Sequence, residues 1–122
     1  MEKLVRELIK QFKMVVKESY YMENHSDNVE YPYLTFTLSE ERLNSHRSGF
    51  YIDCKLYDSS TSVIDLLSLE SSLKAHFKDK QVFTNYLYIR FEYLRGNDFN
   101  TGNKLIKRRN LQFYCIVDWR NI

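Results

Sequence analysis

The stretch "TNYLYIRFEYLRGNDFNTGNKLIKRRNLQFYCIVDW", Thr84–Trp119, decides how this chain is read. Both of its ends alternate between apolar and polar residues. Leu87, Ile89, Phe91 and Tyr93 share one side of a strand expected over residues 82–93, against Tyr86, Tyr88, Arg90 and Glu92. Leu111, Phe113, Cys115, Val117 and Trp119 stand likewise against Gln112, Tyr114, Ile116 and Asp118. A period of two with one apolar side is the signature of a half-buried, antiparallel strand. The segment between them, residues 94–109, is too long for a tight hairpin. It carries Arg95, Lys104, Lys107, Arg108 and Arg109 against the single acid Asp98, a net charge of +4, while the rest of the chain is net −2. Gly96, Asn97, Asn100, Gly102 and Asn103 favour turns over a continuous strand. The expectation is a mobile basic arm, 94–109, that orders on binding a partner. Its cations should matter little to stability, since an exposed ion pair contributes about 0–1 kcal/mol.

Working outward, "YLTFTL" (33–38) and "FYIDCKLY" (50–57) alternate in the same way, separated by a charged loop that Gly49 closes. Residues 1–19 read as an N-terminal amphipathic helix with Leu4, Leu8 and Phe12 on one stripe. Residues 58–77 read as a second helix, with a stripe of Val63, Leu66, Leu67, Leu73 and Phe77 and capping oxygens from Ser59–Ser62. The order helix, strand, strand, helix, strand, strand predicts one α+β domain spanning 1–122. Its architecture is a two-layer sandwich, a mostly antiparallel four-stranded sheet with both helices on one face. Cys54 and Cys115 share the parity of their apolar neighbours and read as free buried thiols.

No residue pattern points to chemistry. His25, His46 and His76 lack ligand partners at metal spacing, the glycines do not form a phosphate loop, and "SSTS" has no His-and-acid partner. The reading is a non-enzyme without cofactor or metal, with no small-molecule substrate and no membrane partner. The start, "MEKLVRELIKQFK", lacks the apolar core of a secretory signal, so a cytoplasmic origin is expected. Ten tyrosines and eight phenylalanines suit a surface that a partner covers. Outward tyrosines beside a basic arm also suit base stacking, so a nucleic-acid-binding sheet is an alternative.

Five segments together carry a resemblance: the N-terminal helix, "YPYLTFTL", "GFYIDCKLYDSS" running into "SVIDLLSLESSLKAHF", and the pair "TNYLYIRFEYLRG" and "NLQFYCIVDW". In this order the chain resembles the tail-terminator and head–tail joining proteins of tailed bacteriophages. The resemblance implies a structural protein of the virion tail or neck, assembled in the host cytoplasm. It would form a ring, hexameric in that family, that caps the tail tube, ends its polymerisation and offers a surface to the head connector or completion protein. A head-completion protein of the same neck is the alternative within that class. Contacts to neighbours or tube are expected from Arg95, Lys104, Lys107, Arg108, Arg109, Tyr86, Tyr88 and Tyr114.

Overall fold

A computed structural model describes residues 1–59 and 63–120. Helix α1 spans Glu2–Lys13, followed by strands β1 (Glu18–Tyr21), β2 (Tyr33–Arg42) and β3 (Arg47–Asp58). Helix α2 spans Ile64–Phe77, and β4 (Gln81–Phe83), β5 (Leu87–Phe99) and β6 (Lys107–Trp119) complete the chain. The six strands form one sheet in the order β1-β2-β3-β6-β5-β4. β1 runs parallel to β2, and every other neighbouring pair is antiparallel. The sheet is mixed and curled into a half-barrel, which corrects the expected four-stranded, mostly antiparallel sandwich and its element order.

Each discrepancy has a local cause. The first helix stops at Lys13 rather than at residue 19, and the β-branched Val15 and Val16 lead out of it. Ser19 Oγ then donates to the Val16 carbonyl at 2.7 Å, and Glu18–Tyr21 lie beside β2. The strand expected over 82–93 is two strands. Thr84 Oγ1 accepts from the backbone N–H groups of Tyr86 (3.1 Å) and Leu87 (2.9 Å), folding the chain back into the β4–β5 turn. The charged loop shrinks to residues 43–46, where Asn44 Oδ1 accepts from the His46 N–H at 2.9 Å. Gly49 closes no loop. It lies within β3 beneath the Tyr114 ring, and a Cβ there would stand 1.8 Å from the Tyr114 hydroxyl oxygen.

One face of the sheet is covered by α1 and α2. Leu4, Leu8, Phe12 and Val16 meet Leu34, Phe36, Ile52 and Phe113 in a single core. Phe12 lies 5.0 Å from Phe36 and 5.1 Å from Phe77, and Phe77 lies 5.1 Å from Phe113 and 4.8 Å from Phe91. Tilted ring pairs of this kind contribute about 0.5–1.5 kcal/mol each beyond the area they bury. The stripe of α2 differs from the expected one. Leu66, Leu73 and Phe77 are buried, but Val63 and Leu67 are exposed and Glu70 takes the inward position. Val63 is the N-cap residue and makes no side-chain cap bond, while the expected capping cluster extends over residues 60–62, outside the described ones. Cys54 and Cys115 are free and buried on neighbouring strands, opposite Leu111 and Phe50 respectively. Burial pushes both thiols up, Cys115 to about 12.

Candidate assembly surface

Among the described residues, no helix lies over the other face of the sheet. The strand registers align its side chains in rows. At the end nearest the β5–β6 turn, Tyr33, Tyr57, Arg108 and Phe99 stand opposite one another across four strands. Tyr33 stacks on Tyr57 at 4.6 Å, and the Arg108 guanidinium lies 3.6 Å from the Phe99 centroid and 5.6 Å from that of Tyr57. Arg108 Nε also donates to Asn110 Oδ1 at 2.9 Å. Further along, Tyr51 and Tyr114 lie 4.9 Å apart, and the Tyr114 hydroxyl donates to Glu41 Oε1 at 2.8 Å. Desolvation, reinforced by that carboxylate, pushes the Tyr114 phenol up to about 12. At the far end Phe83 stacks on Tyr88 at 4.2 Å.

The expected arm is largely a hairpin. Residues 95–99 pair with 108–112, and only residues 100–106 connect the two strands. A register shift between Tyr93 and Arg95 reverses the parity of β5. Arg95, Asn97 and Phe99 therefore stand on the open face, while Gly96 and Asp98 turn toward α2. Arg109 follows them inward. Its Nε donates to Glu70 Oε1 at 2.6 Å and its Nη1 to Asp98 Oδ1 at 2.7 Å, while Lys74 reaches Glu70 at 3.1 Å. Burial alone would push the Glu70 carboxyl up. The Arg109 and Lys74 hydrogen bonds outweigh it and hold the group below the usual carboxylate range. Gly96 makes room for this clasp, since a Cβ there would meet Tyr93 Oη at 2.8 Å and Arg109 Nη2 at 3.0 Å. Arg109 thus fastens α2 to the hairpin, which the reading of the arm cations as dispensable to the fold does not anticipate.

The eight sequence-predicted contact residues do not form one patch. Arg95, Arg108 and Tyr114 share the open face with Tyr88, but Tyr88 stands opposite Asp118, ten positions along β6 from Arg108. At about 3.4 Å per residue that is roughly 34 Å. Lys107 is level with Asp58 on β3, and Lys104 lies in the exposed turn. Tyr86 is at the β4–β5 turn, where Lys3 Nζ sits 3.1 Å above its ring. Sequence reasoning missed Tyr33, Phe83 and Phe99 on this face and Glu70 beneath it. Tyr33 was legible from its parity against Leu34, whereas Phe99 reaches the face only through the register shift.

Two comparisons with known proteins are negative: no family model matches the chain, and no curated protein does. Among solved structures, the fold is similar to a chain of the "virion of native gene transfer agent (GTA) particle". The likeness covers 93% of this chain and 91% of that one with a TM-score of 0.64, and at 9% sequence identity it is a likeness of fold.

Proposed function

We propose that this chain is a structural subunit of a phage-like particle, and that it forms the ring that caps the tail tube, ends its polymerisation and presents a joining surface to the head. The observation that carries this reading is the near full-length likeness of fold to a chain of a gene transfer agent virion. The open sheet face adds to it. A sheet with one face packed under helices and the other bearing rows of half-buried and exposed aromatic side chains is a surface that a partner can cover. The same face suits nucleic acid poorly, because Glu41 holds the Tyr114 hydroxyl, Glu92 stands opposite Tyr114, and Asp53 accepts from Gln112 on the adjoining strand. Phosphates approaching the tyrosines would meet carboxylates.

Electron microscopy of particles made without this chain tests the proposal. Tail tubes should overrun their normal length. Tubes of normal length with unfilled or leaking heads would assign the chain to the head side of the neck, as a completion protein.

A further inference from the structure

The two edges of the sheet are stepped, and the steps fit each other. β1 covers β2 only at Tyr33–Phe36, and among the described residues no strand lies on the outer edge of Thr37–Arg42. β4 covers β5 only at Tyr88–Arg90, and among the described residues no strand lies on the outer edge of Glu92–Phe99. Following the registers across the sheet, Tyr20 is level with Asn97 and Gln81 is level with Glu41. The short strand on each edge therefore stands at the height of the gap on the other. The directions agree as well. β4 is antiparallel to β5, which makes it parallel to β2, and β1 is also parallel to β2.

The charges divide in the same way. Residues 18–41 carry six acids and no Lys or Arg, and among the described residues none of these acids is ion-paired to a Lys or Arg. Residues 74–109 carry nine Lys or Arg and three acids. Lys78, Lys80, Arg90, Arg95, Lys104 and Lys107 have no carboxylate partner among the described residues. Arg90 Nε is moreover buried without an acceptor, a state that a folded chain rarely leaves uncorrected.

We propose that copies of this chain join head to tail by a lap joint, in which β1 of one copy and β4 of the next share a single strand column between β2 of the first and β5 of the second. β1 adds to the open edge at 96–99 as an antiparallel strand, and β4 lies against the end of the open β2 edge, at 41–42. In this arrangement the turn after β1, which carries Glu23, ends about two register positions from Lys80, just before β4. Glu41 is level with Arg90, and Glu18 is level with Phe99 beside the Lys104 turn. Unpaired strand edges are templates for such addition, and an interface made of two different surfaces propagates into a ring or a filament. For closure into a ring, the contact rests on the proposed capping function; for its existence, it rests on the edges alone.

Oxidative cross-linking of the full chain in concentrated, low-salt solution tests it. Tyr20→Cys and Asn97→Cys in one chain should give a ladder of covalent multimers, and an equimolar mixture of the two single variants should stop at dimers. Cys54 and Cys115 are buried and stay out of the reaction. Glu18→Lys with Glu23→Lys should lower the yield about tenfold through like-charge contact, and adding Lys80→Glu with Lys104→Glu to the same chain should restore it. Melting temperatures of these variants check that they fold. A yield no higher than that of a Ser71→Cys control on the outer side of α2, or dimers formed by either single variant alone, would overturn the joint. Overlong tubes without a ladder would keep the capping role and remove this contact. A ladder with normal tubes would do the reverse.

Discussion

The inner and outer halves of the β5–β6 hairpin are built from the same two strands and held by different forces. In the inner half, Ile89 and Phe91 stand opposite Val117 and Cys115, with Leu87 and Phe113 beside them, in a dry layer under α1 and α2. In the outer half, beyond the register shift, the inward residues are Gly96, Asp98 and Arg109, and the contact with α2 is a carboxylate–guanidinium clasp. Burial holds the first half and paired charge holds the second. The first should answer to side-chain volume and the second to pH and to the geometry of single polar atoms.

The largest effect is expected in the inner half. Phe77 is almost fully buried and touches Phe12, Phe91 and Phe113. Phe77→Ala should cost about 3–5 kcal/mol, the sum of lost transfer energy and a cavity. For a chain of this size that lowers the melting temperature by roughly 12–20 °C. A smaller loss, under about 1 kcal/mol, would mean that the layer under the helices collapses to fill the void.

Glu70→Ala comes next. It leaves the part-buried Arg109 with only the exposed Asp98 as partner, at a cost of roughly 2–4 kcal/mol. The wild-type clasp should also weaken in acid. Glu70 is held below its usual value of 4.5, so its contribution is complete above that pH and is lost as the pH falls through the lower folded value. Urea titrations at neutral and acid pH should show this loss in the wild type and less of it in Glu70→Gln. Equal losses in both would place the acid sensitivity elsewhere.

This division also marks what a sequence can disclose. The alternation in β2, β3 and β6, and the apolar stripe of α1, follow from period and polarity alone, because burial acts on every second or every third and fourth residue. β1 and β4 are four and three residues long, too short for a period to show, and the turn at Thr84 sits inside what looks like one strand. The extra residue between Tyr93 and Arg95 inverts the outer half of β5, so Phe99 faces out and Asp98 in. Glu70 and Arg109 are 39 positions apart, and each looks like ordinary surface charge until the fold brings them together. The stepped edges are a property of registers across all six strands, which no local pattern records.

A moderate effect is expected where the open face is tightest. Gly49→Ala places a methyl group on the Tyr114 hydroxyl and must swing that ring away, breaking its bond to Glu41. Tyr114 is only half-buried and can move, so the cost should be about 1–2 kcal/mol rather than a failure to fold. Tyr114→Phe should lose less, because it removes the hydrogen bond and leaves the ring over Gly49.

The smallest effect tests the outer half from its other side. Arg108 neighbours Arg109 in sequence but faces the opposite way, with its guanidinium 3.6 Å from the Phe99 centroid and its Nε on Asn110. No buried carboxylate depends on it. Arg108→Ala should therefore lose its partly exposed cation–π contacts with Phe99 and Tyr57, about 0.5–1 kcal/mol in all. Arg108→Lys should recover little of that, because an ammonium cannot lie flat on the ring while donating to Asn110. The melting temperature should shift by no more than about 4 °C in either variant. Amide hydrogen exchange offers the sharper measurement. The N–H groups of residues 97–99 and 107–109 should exchange faster in Arg108→Ala, while those of 87–91 and 113–117 keep their protection, because the two halves open separately when different forces hold them. Uniform acceleration along the whole hairpin would show that it opens as one unit, and the contrast between its halves would be one of composition without energetic consequence.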